Sequence, residues 1–312
     1  MEKYMQFERR ETLNKLLPGQ MRGAIVFMLV VINTLFWMFP LFAIGILKFL
    51  IPVSAVRKML SAGVTFVCQT WNVWNDKIFD FMIPVRWDIR GVENLDKNGS
   101  YLVLSNHQTW VDILVLEKIF LKKIPFLKFF IKKELMWIPV LGFSWWALDY
   151  PVMHRFSKHT LEKNPHLRGK DLETTQKACK KFKEMPVSVM NFVEGTRFTP
   201  EKHQRQQSPF KHLLRPKAGG TAFVLNALGD QFKTILNATI IYPHGVKNIW
   251  EYACGELDEI IVRVEQIPVT KNILGDYFND EAFQKRFQSW LNSLWQQKND
   301  QIGHILDQRA SS

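Results

Sequence analysis

The sequence predicts an α/β fold, a mixed sheet covered by helices, preceded by an N-terminal membrane helical segment. Three observations carry this. Residues Gly23 to Leu47 hold no charged side chain, giving 25 positions where about 20 span a bilayer's hydrocarbon core. From about Pro84 onward, short β-branched runs alternate with stretches of helical periodicity, the pattern of a sheet with helices packed on it. The 312 residues are 47% apolar and 13% aromatic with a net charge of +12. That composition excludes a disordered or collagen-like chain and points to membranes or polyanions.

Five basic residues (Lys3, Arg9, Arg10, Lys15 and Arg22) precede the apolar stretch and favour a cytoplasmic N-terminus. The stretch begins late, is too long for a signal-peptide core and lacks a small-x-small cleavage site, so it is expected to stay in the membrane. Pro40 and Pro52 are positions where helices break or kink. Beyond Lys48, apolar character resumes through FLIPVSAV and MLSAGVTFVCQTW. Three arrangements fit: a hairpin or two helices lying partly in the interface, either of which returns the chain to the cytoplasm, or an amphipathic helix over 50–75 packed on the following domain. The division expected is a membrane-associated helical segment over 1–75 and a folded domain over 76–312.

Within that domain, strands are expected at VRWDI, SYLVLS, YPVM, PVSVMNFV, TILNATIIY and EIIVRVEQI. Helices are expected at Trp110 to Phe120, Asp171 to Phe182, Ala218 to Ala227 and Glu281 to Gln297. The last places Phe283, Phe287, Leu291 and Leu294 at helical spacing. Residues 156–170 read as a polar connection, and the tail after Asp307 as frayed. Between Lys118 and Lys133 lie six lysines and no acid, followed by a charge-free Met136 to Leu148 with three tryptophans, an expected interfacial surface. The three cysteines (Cys68, Cys179, Cys254) are widely spaced, which argues against a disulfide framework or zinc site and for a reducing compartment. No metal is indicated.

Two polar clusters follow strands, where α/β folds place their sites. After SYLVLS comes NHQTWVD, with His107 and Asp112 five residues apart. On an uninterrupted helix the two would diverge by about 140°, so contact requires His107 in the turn and Asp112 in the first helical turn. The carboxylate would then fix the imidazole tautomer and leave the other nitrogen free as a base. After PVSVMNFV comes EGTRF: Gly195 lets backbone approach a ligand closely, and Arg197 offers a planar fork for phosphate. Lys202, Arg205, Lys211, Arg215 and Lys217 follow, with Glu201 the only acid among them, so an anionic substrate is expected.

NHQTWVD followed some ninety residues later by FVEGTRF resembles the glycerolipid acyltransferase family. That family includes the 1-acylglycerol-3-phosphate (lysophosphatidate) acyltransferases and carries an NHxxxxD motif and a later EGTR motif. The resemblance covers roughly residues 84–245. Tyr150 to Arg155 matches the family's second motif at Arg155, and Thr239 to Pro243 matches its fourth. EGTRFT with the later LLRPKAGG is similar to the lysocardiolipin-acyltransferase-like branch, which leaves the acceptor open.

The resemblance implies that residues 76–312 form a catalytic domain facing the cytoplasm from a membrane, the inner membrane if the source is bacterial. It implies acyl transfer from a thioester, acyl-CoA or acyl carrier protein, to a lysophospholipid hydroxyl, with no cofactor and with acyl carrier protein as a conceivable partner. His107 and Asp112 would be catalytic; Glu194, Gly195, Thr196, Arg197, Arg155 and Lys217 would bind the acceptor. Rival readings are a remodelling acyltransferase for lysophosphatidylglycerol or lysocardiolipin, a lipid-binding protein, and a nucleic-acid binder. The last lacks any nucleic-acid-binding motif, and no GxSxG supports a serine hydrolase.

Overall fold

A computed structural model describes residues 17–138, 140–150, 152–153 and 185–311. Arg155, the 156–170 connection, the Asp171 to Phe182 helix and the first four of the five N-terminal basic residues lie outside the described residues.

Helix α1 (Gly19–Leu50) runs through Pro40, and the chain breaks instead at Ile51 to Val53, around Pro52. Helix α2 (Ser54–Met82) then doubles back. Asn33 Nδ2 donates to Asn75 Oδ1 at 2.9 Å, while Trp71 Nε1 donates to Thr34 Oγ1 at 3.1 Å; Gly63 meanwhile faces Ile44. Residues 54–75 thus belong to one helix, α2. It pairs with α1 as a hairpin, and its last turns dock on the domain through Asp76 and Asp80, which hold Lys118 Nζ at 2.6 and 2.8 Å. Only α1 is long and apolar enough, among described residues, to cross a membrane, and most of its apolar length is unburied. Arg22, grouped above with the orienting charges, is buried and donates to the carbonyls of Cys254 and Leu17.

All six expected strands form: β1 (Arg86–Arg90), β2 (Tyr101–Ser105), β5 (Val152–Met153), β6 (Ser188–Phe192), β7 (Thr234–Ile241) and β8 (Glu259–Pro268). Two short strands were not foreseen, β3 (Leu127–Lys128) and β4 (Ile131–Lys132), because lysines interrupt their apolar pattern. The main sheet has the order β1-β8-β7-β2-β6-β3, with β7 and β8 antiparallel and the other pairs parallel; β4 and β5 pair apart from it. Strand β2 sits inside the sheet and every residue of it is buried. Successive side chains of a strand point to opposite faces. Leu102 and Leu104 therefore join the layer of α6 (Ala218–Leu228) and α8 (Glu281–Ala310), whereas Val103 joins that of α3 (Val111–Phe120).

Phe283, Phe287, Leu291 and Leu294 are buried, as their spacing requires. Helix α8 nonetheless outruns the expected end at Gln297 and the expected fraying after Asp307, reaching Ala310. Lys298 and Ile302 continue its buried face, so packing rather than apolar composition extends it. Within the lysine-rich stretch, Lys118 is committed to α2, and Lys128 Nζ donates to the Leu148 carbonyl at 2.8 Å. Beyond it, a short 3₁₀ turn (Lys133–Trp137) and α4 (Leu141–Ala147) present Trp137, 82% exposed, whereas Trp145 and Trp146 pack against the hairpin.

Candidate active site

Strands β2 and β6 are parallel neighbours with Ser105 opposite Phe192, so the two motifs leave the sheet side by side at its carboxyl end. The loops touch directly. Phe198 N–H donates to the His107 carbonyl at 2.7 Å, and the Phe192 ring stacks on the imidazole with centroids 3.8 Å apart.

His107 lies in the turn and Asp112 in the first turn of α3, the geometry that contact demands. His107 Nδ1 is 2.8 Å from Asp112 Oδ2. The same oxygen accepts from the backbone N–H groups of Gln108 and Thr109, while Oδ1 accepts from the Tyr242 hydroxyl at 2.6 Å. Asp112 is fully buried and the His107 side chain 12% exposed. A carboxylate so enclosed by donors is an acceptor only, which makes Nδ1 the protonated nitrogen and leaves Nε2 with a lone pair. Asn106 anchors the turn: its amide donates to the Ile240 carbonyl and accepts from the Ile240 N–H, both at 2.9 Å.

The second loop turns on Gly195, whose φ of +66° suits glycine, and whose missing Cβ leaves room for the Lys217 side chain. Lys202 Nζ donates to Thr196 Oγ1 and to the Arg197 carbonyl at 2.8 and 2.9 Å, so that lysine stiffens the loop. Arg215 caps α5 (Pro200–Gln206) by donating to the carbonyls of Gln206 and Gln207. Arg197 and Lys217 remain exposed, and neither forms an ion pair among the described residues. The Arg197 guanidinium lies over the half-exposed Trp110 ring, 4.9 Å from its centroid.

Glu194 alone among the EGTR side chains points inward. It is 1% exposed, and its carboxyl has only weak support from the backbone N–H groups of Leu214 and His107, with no side-chain donor among the described residues. Burial pushes its pKa up to about 9, with the Asp112 charge adding to the rise and Lys298 opposing it. Lys298, buried on α8, donates to the Ala238 carbonyl. Its own pKa is pushed down to about 7 by burial, against the pull of Glu194 and Glu265. The Glu194 carboxyl therefore lies enclosed beneath the loop, whereas Arg197 and Lys217 face outward.

Residues 86–247 match the acyltransferase family model, more than half of the 312 residues. The chain belongs to the acyltransferase family. It is 32% identical over 153 residues to 1-acyl-sn-glycerol-3-phosphate acyltransferase 3 of Arabidopsis thaliana, covering 45% of this chain and 37% of that one. Over 184 residues it is 25% identical to 1-acyl-sn-glycerol-3-phosphate acyltransferase delta of Mus musculus, covering 54% and 42%. The chain thus spans less than half the length of these curated relatives. The crystal structure of the 1-acyl-sn-glycerophosphate (LPA) acyltransferase PlsC from Thermotoga maritima superposes with a TM-score of 0.51 at 15% identity, covering 91% of this chain and 98% of that one. That likeness establishes a shared fold.

Within this acyltransferase, His107, Asp112, Thr196, Arg197 and Lys217 converge at one end of the sheet. Sequence reasoning missed Tyr242, Phe192, Trp110 and Lys298 as parts of the site. For Lys298 a signal existed: it follows Phe287, Leu291 and Leu294 at helical spacing on an apolar face.

Proposed function

We propose that the chain transfers a fatty acyl group from a thioester, acyl-CoA or acyl carrier protein, to the free hydroxyl of 1-acylglycerol-3-phosphate. The reading assigns phosphatidic acid as the product. One observation carries it: a histidine oriented by a buried carboxylate through Nδ1, with no partner for Nε2 and two exposed cations without acid partners among the described residues. His107 Nε2 takes the hydroxyl proton as the oxygen attacks the thioester carbonyl. Asp112 stabilises the imidazolium that forms, and the tetrahedral intermediate collapses with loss of the thiolate. Arg197 and Lys217 hold the acceptor's phosphate, with Arg155 assigned to the same task by its motif. Gly195 and Thr196 shape the loop, and Glu194 supports it from beneath. No cofactor is required for this chemistry.

The acceptor is a membrane lipid, and the surface suits one. Phe39 and Phe49 on α1, Phe66 on α2, and Trp137 are 76%, 73%, 66% and 82% exposed, more apolar surface than a water-facing protein ordinarily presents. We place the enzyme at a membrane, the inner membrane in a bacterial cell, with the domain over 76–312 on the cytoplasmic side. The boundary with the 1–75 segment lies within α2, whose last turns are already bound to α3 through Lys118.

The test is transfer of a labelled acyl group from both thioester donors to 1-acylglycerol-3-phosphate in membranes holding the wild type or His107→Ala. Activity lost in the variant supports the reading. The resemblance of EGTRFT and LLRPKAGG to the lysocardiolipin-acyltransferase-like branch makes lysophosphatidylglycerol and lysocardiolipin the next acceptors. Inactivity with all acceptors and both donors would leave a lipid-binding protein.

A further inference from the structure

Three of the four donors to Asp112 belong to its own motif: His107 Nδ1 and the N–H groups of Gln108 and Thr109, all on Oδ2. The fourth comes from 130 residues away, the hydroxyl of Tyr242, which alone satisfies Oδ1 at 2.6 Å. We propose that Tyr242 is a positioning residue for the His107–Asp112 pair, fixing the rotation of the carboxylate and drawing charge away from the oxygen that faces the imidazole. This rests on the acyl-transfer reading, in which His107 is the base.

A carboxylate rotates about Cβ–Cγ unless both oxygens are held. With Oδ1 tied to Tyr242, Oδ2 must face Nδ1. The tie is rigid because the two strand ends are clamped just before it: Asn106 exchanges two hydrogen bonds with Ile240, two residues before Tyr242. Tyr242 is 5% exposed. Burial, followed by the Asp112 charge, pushes its phenol pKa well above the ordinary value, so the hydroxyl stays protonated and donates throughout the working pH range.

The other titratable groups facing the pair come from three elements. Glu194, on the neighbouring loop, is pushed up to about 9 by burial and is neutral at pH 7. Lys298, from α8, acts on Glu194. Tyr252, from α7 (Ile249–Ala253), is raised well above the ordinary phenol value by burial, so it too is neutral. None of them hydrogen-bonds to Asp112 among the described residues. Removing the Tyr242 hydroxyl concentrates negative charge on Oδ2 and strengthens its hold on the imidazolium, so His107 becomes protonated at higher pH.

The experiment uses the full chain in detergent micelles. Wild-type acyl transfer is measured first, and its absence sinks the functional reading alone. Titration of the His107 ring, followed by NMR in substrate-free protein with ¹⁵N-labelled histidine and assigned with His107→Gln, reads the positioning role independently. In Tyr242→Phe, the ring midpoint and the acid limb of kcat/KM are both expected to move to higher pH by about half a unit or more. A fall in kcat of about three- to tenfold should accompany this, with the acceptor KM within about twofold. Replacing Tyr242 by 3-fluorotyrosine, a stronger donor of similar volume, should move the ring midpoint the other way. It also decides the matter if the phenylalanine variant fails to fold. A midpoint unmoved in the folded variants, or shifted in the opposite sense, overturns the proposal.

Discussion

The His107–Asp112 pair and the Arg197–Lys217 loop beside it satisfy their polar groups in opposite ways. Asp112 is fully buried and accepts hydrogen bonds on both oxygens, whereas Arg197 and Lys217 are exposed and have no ion-pair partner among the described residues. On the proposed reading, the protein itself orients the group that would move a proton. The groups that would hold an anion on that reading are left for the ligand to complete, and their own supports are indirect: an aromatic ring under Arg197, a glycine beside Lys217, and Lys202 bracing the backbone. Substitutions on the first side should therefore act on turnover, and those on the second on acceptor affinity.

The largest expected effect is on the first side. His107→Ala should lower acyl transfer about 100- to 10,000-fold, while flotation with liposomes is unchanged; loss of flotation would mean that the substitution disturbs more than the base. Arg197→Ala should raise the acceptor KM about 10- to 100-fold, the scale of a lost charge-assisted contact to phosphate. Arg197→Lys should recover little, since a point charge cannot reproduce the planar fork. If either variant lowered kcat and left KM alone, the division of labour between the two sides would be wrong.

Glu194 sharpens the comparison, because it is a buried carboxyl without the side-chain donors that Asp112 has. Its pKa of about 9 lies above the ordinary 4.5, so the folded chain keeps a proton that the unfolded chain releases as pH rises. Stability should fall across that interval by up to about 1.4 kcal/mol per pH unit. Lys298, lowered from 10.5 to about 7, has the opposite slope above pH 7, where the unfolded chain binds the extra proton. The net fall attributable to this pair is thus concentrated between about pH 4.5 and 7. Thermal melting of Glu194→Gln should show a flatter profile there than the wild type; parallel profiles would place no buried titrating carboxyl at 194. The smallest effect is Trp110→Ala, which removes the ring beneath Arg197 and should raise the acceptor KM about two- to fivefold. A change confined to kcat would assign Trp110 to the first side instead.

Much of this was legible in the sequence because the signals are local. The β-branched runs mark the strands, the charge-free Gly23 to Leu47 marks α1, and NHQTWVD and EGTRF carry the residues that the fold brings together. Local signals also misled. The polar run after Gln297 hid the continuation of α8, and lysines hid β3 and β4. A basic residue near a site reads as a ligand for anions, yet Lys202 braces a loop and Arg215 caps a helix.

What the sequence determined by itself is the chemistry available: a histidine and an aspartate five residues apart after one strand, a glycine and an arginine after another, and an apolar helix ahead of both. Only the tertiary structure decided which groups share a carboxylate, which cations stay unpaired and which acid is buried. Those outcomes depend on contacts between residues far apart in the chain, Tyr242 with Asp112 and Lys298 with Ala238. Pairing and desolvation are set by what lies across the sheet, and no spacing along the chain encodes that distance.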